Sequence, residues 1–166
     1  MQETITYYLE MKSPDNLIEK IDANGLLVVE AEIDEFRLNK FLYILIGEPW
    51  EWSDKLPWSD HQWRTYVENP QLRTWVAYFK GSIAGYFELK TDADGNTEIM
   101  YFGLAENFIG KRLGGYFLSK AIESAWSISA TKRVWLHTCS LDHKAALANY
   151  QSRGFKVYKT ETGADE

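Results

Sequence analysis

Apolar and polar positions along the chain fall into two periods, and the switch between them outlines the elements. Thr4 to Met11 carries Ile5, Tyr7, Tyr8 and Leu9 and suits a strand. Ser13-Pro14-Asp15 and Ala23-Asn24-Gly25 mark turns, and Leu26 to Ile33 is a second strand. From Asp34 the spacing becomes helical through Phe36, Phe41, Ile44 and Leu45, until Gly47 and Pro49 end it. Glu48 to Pro57 reads as a loop. Ser59 then caps a second helix that runs to about Glu68, before Asn69-Pro70. Arg73 to Phe79 and Ile83 to Lys90 form a hairpin about Lys80-Gly81, and Thr97 to Leu104 adds a third strand. After the loop Ala105 to Gly110, a helix is predicted from Leu113 to about Ser129. A strand follows over Lys132 to Thr138. Leu141-Asp142 precedes another helix through Arg153, where Gly154 stops it, and Phe155 to Glu161 is the last strand. The tail, Gly163 to Glu166, is expected to fray.

This order predicts one domain of α+β, or mixed α/β, class. Its core is a twisted, mainly antiparallel sheet flanked by helices, with a parallel portion near the end. The length of 166 residues and a hydrophobic share of 45% allow one such core. The net charge of −6 argues against nucleic acid as the main partner, because phosphate binding needs a basic footprint. One cysteine, Cys139, rules out an internal disulfide framework. No apolar run approaches the roughly 20 residues that span a bilayer. Met1 to Glu10 has no basic and apolar leader pattern, so the expected location is the cytoplasm, with no membrane partner.

Several segments carry chemistry. Phe108-Ile109-Gly110-Lys111-Arg112-Leu113-Gly114-Gly115 stands between a strand and a helix. Glycines allow close backbone approach, and a helix N-terminus offers N–H groups and a positive dipole end, which together make an anion cradle suited to phosphate or pyrophosphate. The alternative is a plain strand-to-helix turn. Neither the Walker pattern nor G-x-G-x-x-G is present. Asp92 to Asn96 places its glycine fourth and has no closing glutamate at position 12, so it reads as a turn rather than a calcium loop. His137, Cys139 and His143 cluster near one strand end, but they fall short of a zinc spacing, and no metal site is expected. Trp50, Trp52, Trp58 and Trp63 fall within 14 residues, interleaved with Glu48, Glu51, Asp54 and Asp60. Rings with carboxylates suit a cationic amine. The same rings also suit covering the sheet or forming a dimer surface.

Taken together, the loop Ile109 to Gly115, the hairpin Phe79 to Tyr86, the strand Thr97 to Leu104 and the ending Ala146 to Phe155 resemble the GNAT superfamily of acetyl-coenzyme A-dependent N-acetyltransferases. The resemblance covers Arg73 to Glu161 and, more weakly, the two helices before it. It implies acetyl-coenzyme A as acyl donor, bound by Phe102, Gly103 and Leu104 through the strand backbone. Ile109, Gly110, Lys111, Arg112, Leu113, Gly114 and Gly115 would hold the pyrophosphate. His143 stands where the family often has Asn. Ile109 replaces the family's Gln or Arg, and Arg112 replaces its first loop glycine, which carries a strain of roughly 1 kcal/mol if the left-handed conformation is kept.

The implied reaction is direct acetyl transfer to a primary amine of a small molecule or a protein. An alkylammonium near pKa ~10 must lose its proton before attack. Glu98 matches the family position of such a base, and Glu88 on the neighbouring strand is a second carboxylate, assigned to the acceptor side with Trp50 and Trp52. Tyr150 matches the family's general acid for the departing thiolate. Two other readings share these residues: a non-catalytic acyl-coenzyme A-binding or regulatory domain, and an aromatic-rich interaction module. A homodimer is compatible with each.

Overall fold

The protein is described here by a computed structural model over residues 3–164. The chain runs β1 (Glu3–Met11), β2 (Leu26–Ala31), α1 (Phe36–Gly47), α2 (Asp60–Val67), β3 (Leu72–Phe79), β4 (Ser82–Thr91), β5 (Asn96–Leu104), α3 (Gly114–Ser127), β6 (Arg133–Cys139), α4 (Ala146–Ser152) and β7 (Lys156–Ala164). The strands make one seven-stranded sheet in the order β2-β3-β4-β5-β6-β1-β7. Every pairing is antiparallel except β5 with β6, so the expected mainly antiparallel sheet with one parallel portion is what forms.

Alternation along β3 and β4 divides the core between two faces. Trp75, Ala77, Phe87 and Leu89 face one side and pack with Phe117, Leu118, Ala121, Ile122 and Ala125. Those five residues recur at spacings of three and four, which makes them one stripe of α3. Val76 and Tyr86, of opposite parity, face the other side and meet Leu42 and Ile46 of α1. Helix α2 docks beside α1 through Trp63 and Val67. Its start is a complete capping box: the Gln62 N–H donates to Ser59 Oγ, and the Ser59 N–H donates to Gln62 Oε1.

Two expectations are corrected at the C-terminal end. Helix α4 begins only at Ala146, not just after Asp142. Asp142 is engaged elsewhere: its carboxylate accepts from the Thr138 hydroxyl and from the Cys139 N–H, which holds the preceding residues in turns. Gly163 does not fray, because it lies opposite Thr4 in the β1–β7 ladder; Asp165 and Glu166 lie outside the described residues. That ladder also makes the first strand of the chain an interior strand of the sheet. β1 is paired on one edge with β6 and on the other with β7, and its Leu9 is fully buried. Among the described residues, no helix is long and apolar enough to cross a membrane.

Candidate active site

The site arises where β5 and β6 part. Their parallel ladder covers only Asn96, Glu98 and the residue between them, opposite Arg133 to Trp135. Beyond that point the edge of β5 faces a cleft instead of a strand. A β-bulge keeps it there: Glu88 lies opposite Met100 and Tyr86 opposite Gly103, so Tyr101 and Phe102 together face Phe87. Tyr101 takes a left-handed φ of 50°, an unusual conformation for a bulky residue. The cleft measures about 820 Å³. Phe102, Gly103 and Leu104 line one wall, Leu136, His137 and Cys139 the other, and Trp50 and Trp52 the rim.

At one end lies the loop before α3. Gly110 has φ 85° and Arg112 has φ 62°, so the arginine does adopt the strained left-handed conformation that a glycine would take without cost. The Asn24 amide donates to the Arg112 carbonyl at 2.8 Å and fixes the turn from the β1–β2 connection. Helix α3 opens at Gly114 with no side-chain cap, which leaves its first backbone N–H groups available to an anion. Ile109, Gly110, Arg112, Leu113 and Gly114 line the cleft. Lys111 and Gly115 do not: Lys111 is exposed, and Gly115 is covered by the Lys20 and Arg153 side chains. This backbone geometry fits a diphosphate, and the cleft leading from it fits an extended arm.

Tyr150 reaches the same cleft from α4. Its ring packs against Phe102 and Phe155, and burial pushes its phenol well above the ordinary value, so it holds its proton. Asn149 beside it donates to the Gly114 carbonyl at 3.1 Å and ties α4 to the start of α3. His143 lines the cleft with its ring edge-on to Trp50 at 5.3 Å, and its Nδ1 accepts from the Ala145 N–H at 3.1 Å.

Glu98 stands where the strands separate. Its side chain is 18% exposed, and His137 Nε2 lies 3.8 Å from its Oε2. Burial raises the Glu98 pKa, opposed by the charges of His137, Lys90 and Lys55. Glu88, the other expected acceptor-side carboxylate, is a correction. It is 1% exposed and stands behind the cleft wall. Asn39 Nδ2 donates to it at 2.6 Å and the Tyr66 hydroxyl at 2.5 Å, so its lone pairs are already engaged inside the protein. Burial raises its pKa, opposed by those two hydrogen bonds and by Lys55. Lys55 is itself buried, with its ammonium over the rings of Trp58, Tyr66 and Tyr101 at 4.1, 4.3 and 4.8 Å.

The tryptophan cluster divides accordingly. Trp58 and Trp63 pack with Tyr43 and Tyr66 and cover the sheet, whereas Trp50 and Trp52 border the cleft. Trp52 is seated by Gly47, where any Cβ would lie 2.4 Å from the indole. The sequence reading missed Thr4 and Thr6 of β1 and Asn149 of α4 as cleft residues. Nothing local marks the threonines, since only the insertion of β1 beside β6 brings them there.

Among solved structures, the chain is similar to a GCN5-related N-acetyltransferase from Kribbella flavida, with 17% identity, a TM-score of 0.67, and coverage of 94% of this chain and 55% of that one. An IAA acetyltransferase from Bacillus cereus is 26% identical with a TM-score of 0.58, covering 81% of this chain and 79% of that one. An aminoglycoside acetyltransferase from an uncultured soil metagenomic sample, solved with sisomicin, has 14% identity and a TM-score of 0.63, covering 78% of this chain and 88% of that one. The chain thus spans little more than half the length of the Kribbella protein. No curated protein matches. The profile of the acetyltransferase (GNAT) family matches residues 26–155, from β2 to the end of α4. The chain belongs to the GNAT acetyltransferase family.

Proposed function

We propose that this protein is an acetyl-coenzyme A-dependent N-acetyltransferase of a primary amine, with Glu98 as the base and Tyr150 as the general acid. The observation that carries this reading is that one continuous cleft joins three things: the glycine-containing loop at the start of α3, the Tyr150 phenol and the Glu98 carboxylate. When bound, acetyl-coenzyme A supplies an acetyl group activated as a thioester. The backbone of 109–114 would hold its diphosphate, and the unladdered edge of β5 at Phe102 to Leu104 would orient the arm and offer N–H donors to a carbonyl oxygen.

The remaining chemistry belongs to the chain. Glu98 accepts a proton from the acceptor ammonium, which leaves a neutral amine nitrogen. The raised affinity of Glu98 for protons narrows the gap to the amine and eases that transfer. Tyr150 keeps its proton at neutral pH and would deliver it from the phenolic oxygen to the departing sulfur, its phenolate being restored by the second proton that the acceptor nitrogen sheds as the amide forms. Glu51, Asp54 and Glu98 face the cleft beside Trp50 and Trp52, which favours a cationic acceptor.

The test is calorimetric titration with acetyl-coenzyme A, followed by a thiol-release assay on an amine panel containing sisomicin, spermidine and a lysine peptide. Saturable binding and turnover of a panel amine support the assignment. Absence of binding at millimolar acetyl-coenzyme A overturns it. Binding without turnover on any amine favours an acyl-coenzyme A-binding domain.

A further inference from the structure

The imidazole beside Glu98 has no part in the chemistry above, yet its position is specific. His137 is the second residue of β6 beyond the last parallel pair, Glu98 with Trp135, and so projects just where the strands begin to part. Its Nε2 lies 3.8 Å from Glu98 Oε2, too far for a direct hydrogen bond and just inside the distance at which opposite charges are counted as paired. The two side chains differ in exposure, 54% for His137 and 18% for Glu98, and both line the cleft.

The ring is buttressed on the strand that the family profile leaves out. Tyr8 of β1 lies opposite His137 in the ladder, with ring centroids 5.8 Å apart, and Trp135 flanks it at 6.2 Å. Tyr8 is in turn fixed from β7, by its hydroxyl donating to Glu161 Oε2 at 2.9 Å and by Lys159 over its ring at 4.8 Å. The other charges acting on Glu98 are Lys90 of β4 and Lys55 of the loop before α2. Lys90 is the direct cross-strand neighbour of Glu98, and Lys55 is held within its own aromatic cage.

We propose that His137 is a positioning residue for Glu98, holding the carboxylate ionised and oriented across the parting of β5 and β6. The proposal rests on the assignment of Glu98 as base. It follows from what the burial of Glu98 requires. A carboxylate with little solvent needs a partner to remain charged, and the imidazole Nε2 facing it at 3.8 Å is placed to supply one, by charge or through a bridging water. The Glu88 carboxylate shows the contrast: two direct donors inside the protein hold it, and it has no opening to the cleft.

The decisive measurement needs no ligand. The Glu98 carboxyl is titrated by 13C NMR in wild type, His137→Gln and His137→Phe, with Glu98→Gln identifying the resonance. The Glu98 midpoint is expected to rise by about one pH unit in His137→Phe, the size of effect an opposite charge at this range produces. In His137→Gln, which keeps a donor and gives a second fold-compatible variant, it rises as well. An unchanged midpoint in either folded variant overturns the proposal. With the panel amine that turns over best, the acid limb of kcat/KM moves up with the NMR midpoint, while KM for acetyl-coenzyme A stays within twofold. A midpoint that moves without the acid limb also overturns it. Glu98→Gln separates the two assignments: if it retains wild-type turnover, the base assignment itself fails, whatever the His137 variants show.

Discussion

Arg112 offers a test in which stability and affinity move in different directions. Its φ of 62° places an L-residue in the left-handed region, while its exposed side chain leaves a guanidinium at the mouth of the cleft. The backbone term is roughly 1–2 kcal/mol of strain, which glycine relieves. Glycine also gives the unfolded chain more freedom, which takes back about 0.4–1 kcal/mol. Arg112→Gly is therefore expected to be neutral to about 1.6 kcal/mol more stable than wild type, or up to about 6 °C in Tm for a domain of this size. Arg112→Ala keeps the strain and gains nothing comparable, so it should unfold below Arg112→Gly. Both variants lose the same charge. An exposed charge contributes little, so the affinity for coenzyme A falls about two- to fivefold in each, and equally. Thermal unfolding and calorimetry on the three proteins check this. If Arg112→Gly proves less stable than Arg112→Ala, the left-handed strain argument is wrong. If glycine binds coenzyme A more tightly than alanine does, loop flexibility rather than charge governs the cradle.

Tyr150→Phe should lower turnover about 100-fold while leaving coenzyme A affinity within twofold, because the ring contacts to Phe102 and Phe155 survive without the hydroxyl; single-turnover assays beside calorimetry read both. Glu88→Gln should change how stability depends on pH. The folded pKa of Glu88 is raised, so its contribution is complete below the ordinary carboxylate value and is lost as pH rises through the raised one, and wild type should gain on Glu88→Gln in urea unfolding at pH 5 relative to pH 7.5. Leu9→Ala empties a fully buried site on β1 and should cost about 2–5 kcal/mol, visible as a lower urea midpoint with an unchanged m-value.

The hydrophobic period revealed every strand and helix of the sheet, because each of these elements buries one face and shows the other to solvent or to a second layer. It did not reveal the order of strands. Leu9 signals burial but not its neighbours, and only the three-dimensional ladder shows β1 between β6 and β7. Helix α4 was read too long because the apolar pattern has no term for the Asp142 side chain, which competes for the local N–H groups. At the site, the loop and Tyr150 were legible through spacing and resemblance. The resemblance put Glu98 ahead of Glu88 as the base, but residue pattern could not show that Glu88 is walled off: both are glutamates on neighbouring strands of the meander, and the bulge at Tyr101 and the parting of β6 decide which one sees the cleft. The pairing of Glu98 with His137 depends on a parallel contact between strands that the whole of α3 separates in sequence.

Backbone strain gives an independent reason to place function in this cleft. Among the described residues, five non-glycine residues take positive φ: Asn24, Glu51, Lys80, Tyr101 and Arg112. Asn24 and Lys80 each precede a glycine of positive φ in a tight turn, where the conformation is routine. The other three all line the cleft, beside Trp50 and Trp52, on its β5 wall and in the loop before α3. Such conformations persist only where the surrounding structure over-determines them, and each of these has neighbours that do so. Glu51 follows Trp50 and precedes Trp52, whose ring is wedged against Gly47; Tyr101 is boxed by Tyr43 and Trp52; the Arg112 carbonyl is tied to Asn24. The strained residues that are not followed by a glycine of positive φ thus sit at three separate points of one cleft, and strain of this kind is characteristically retained at functional sites.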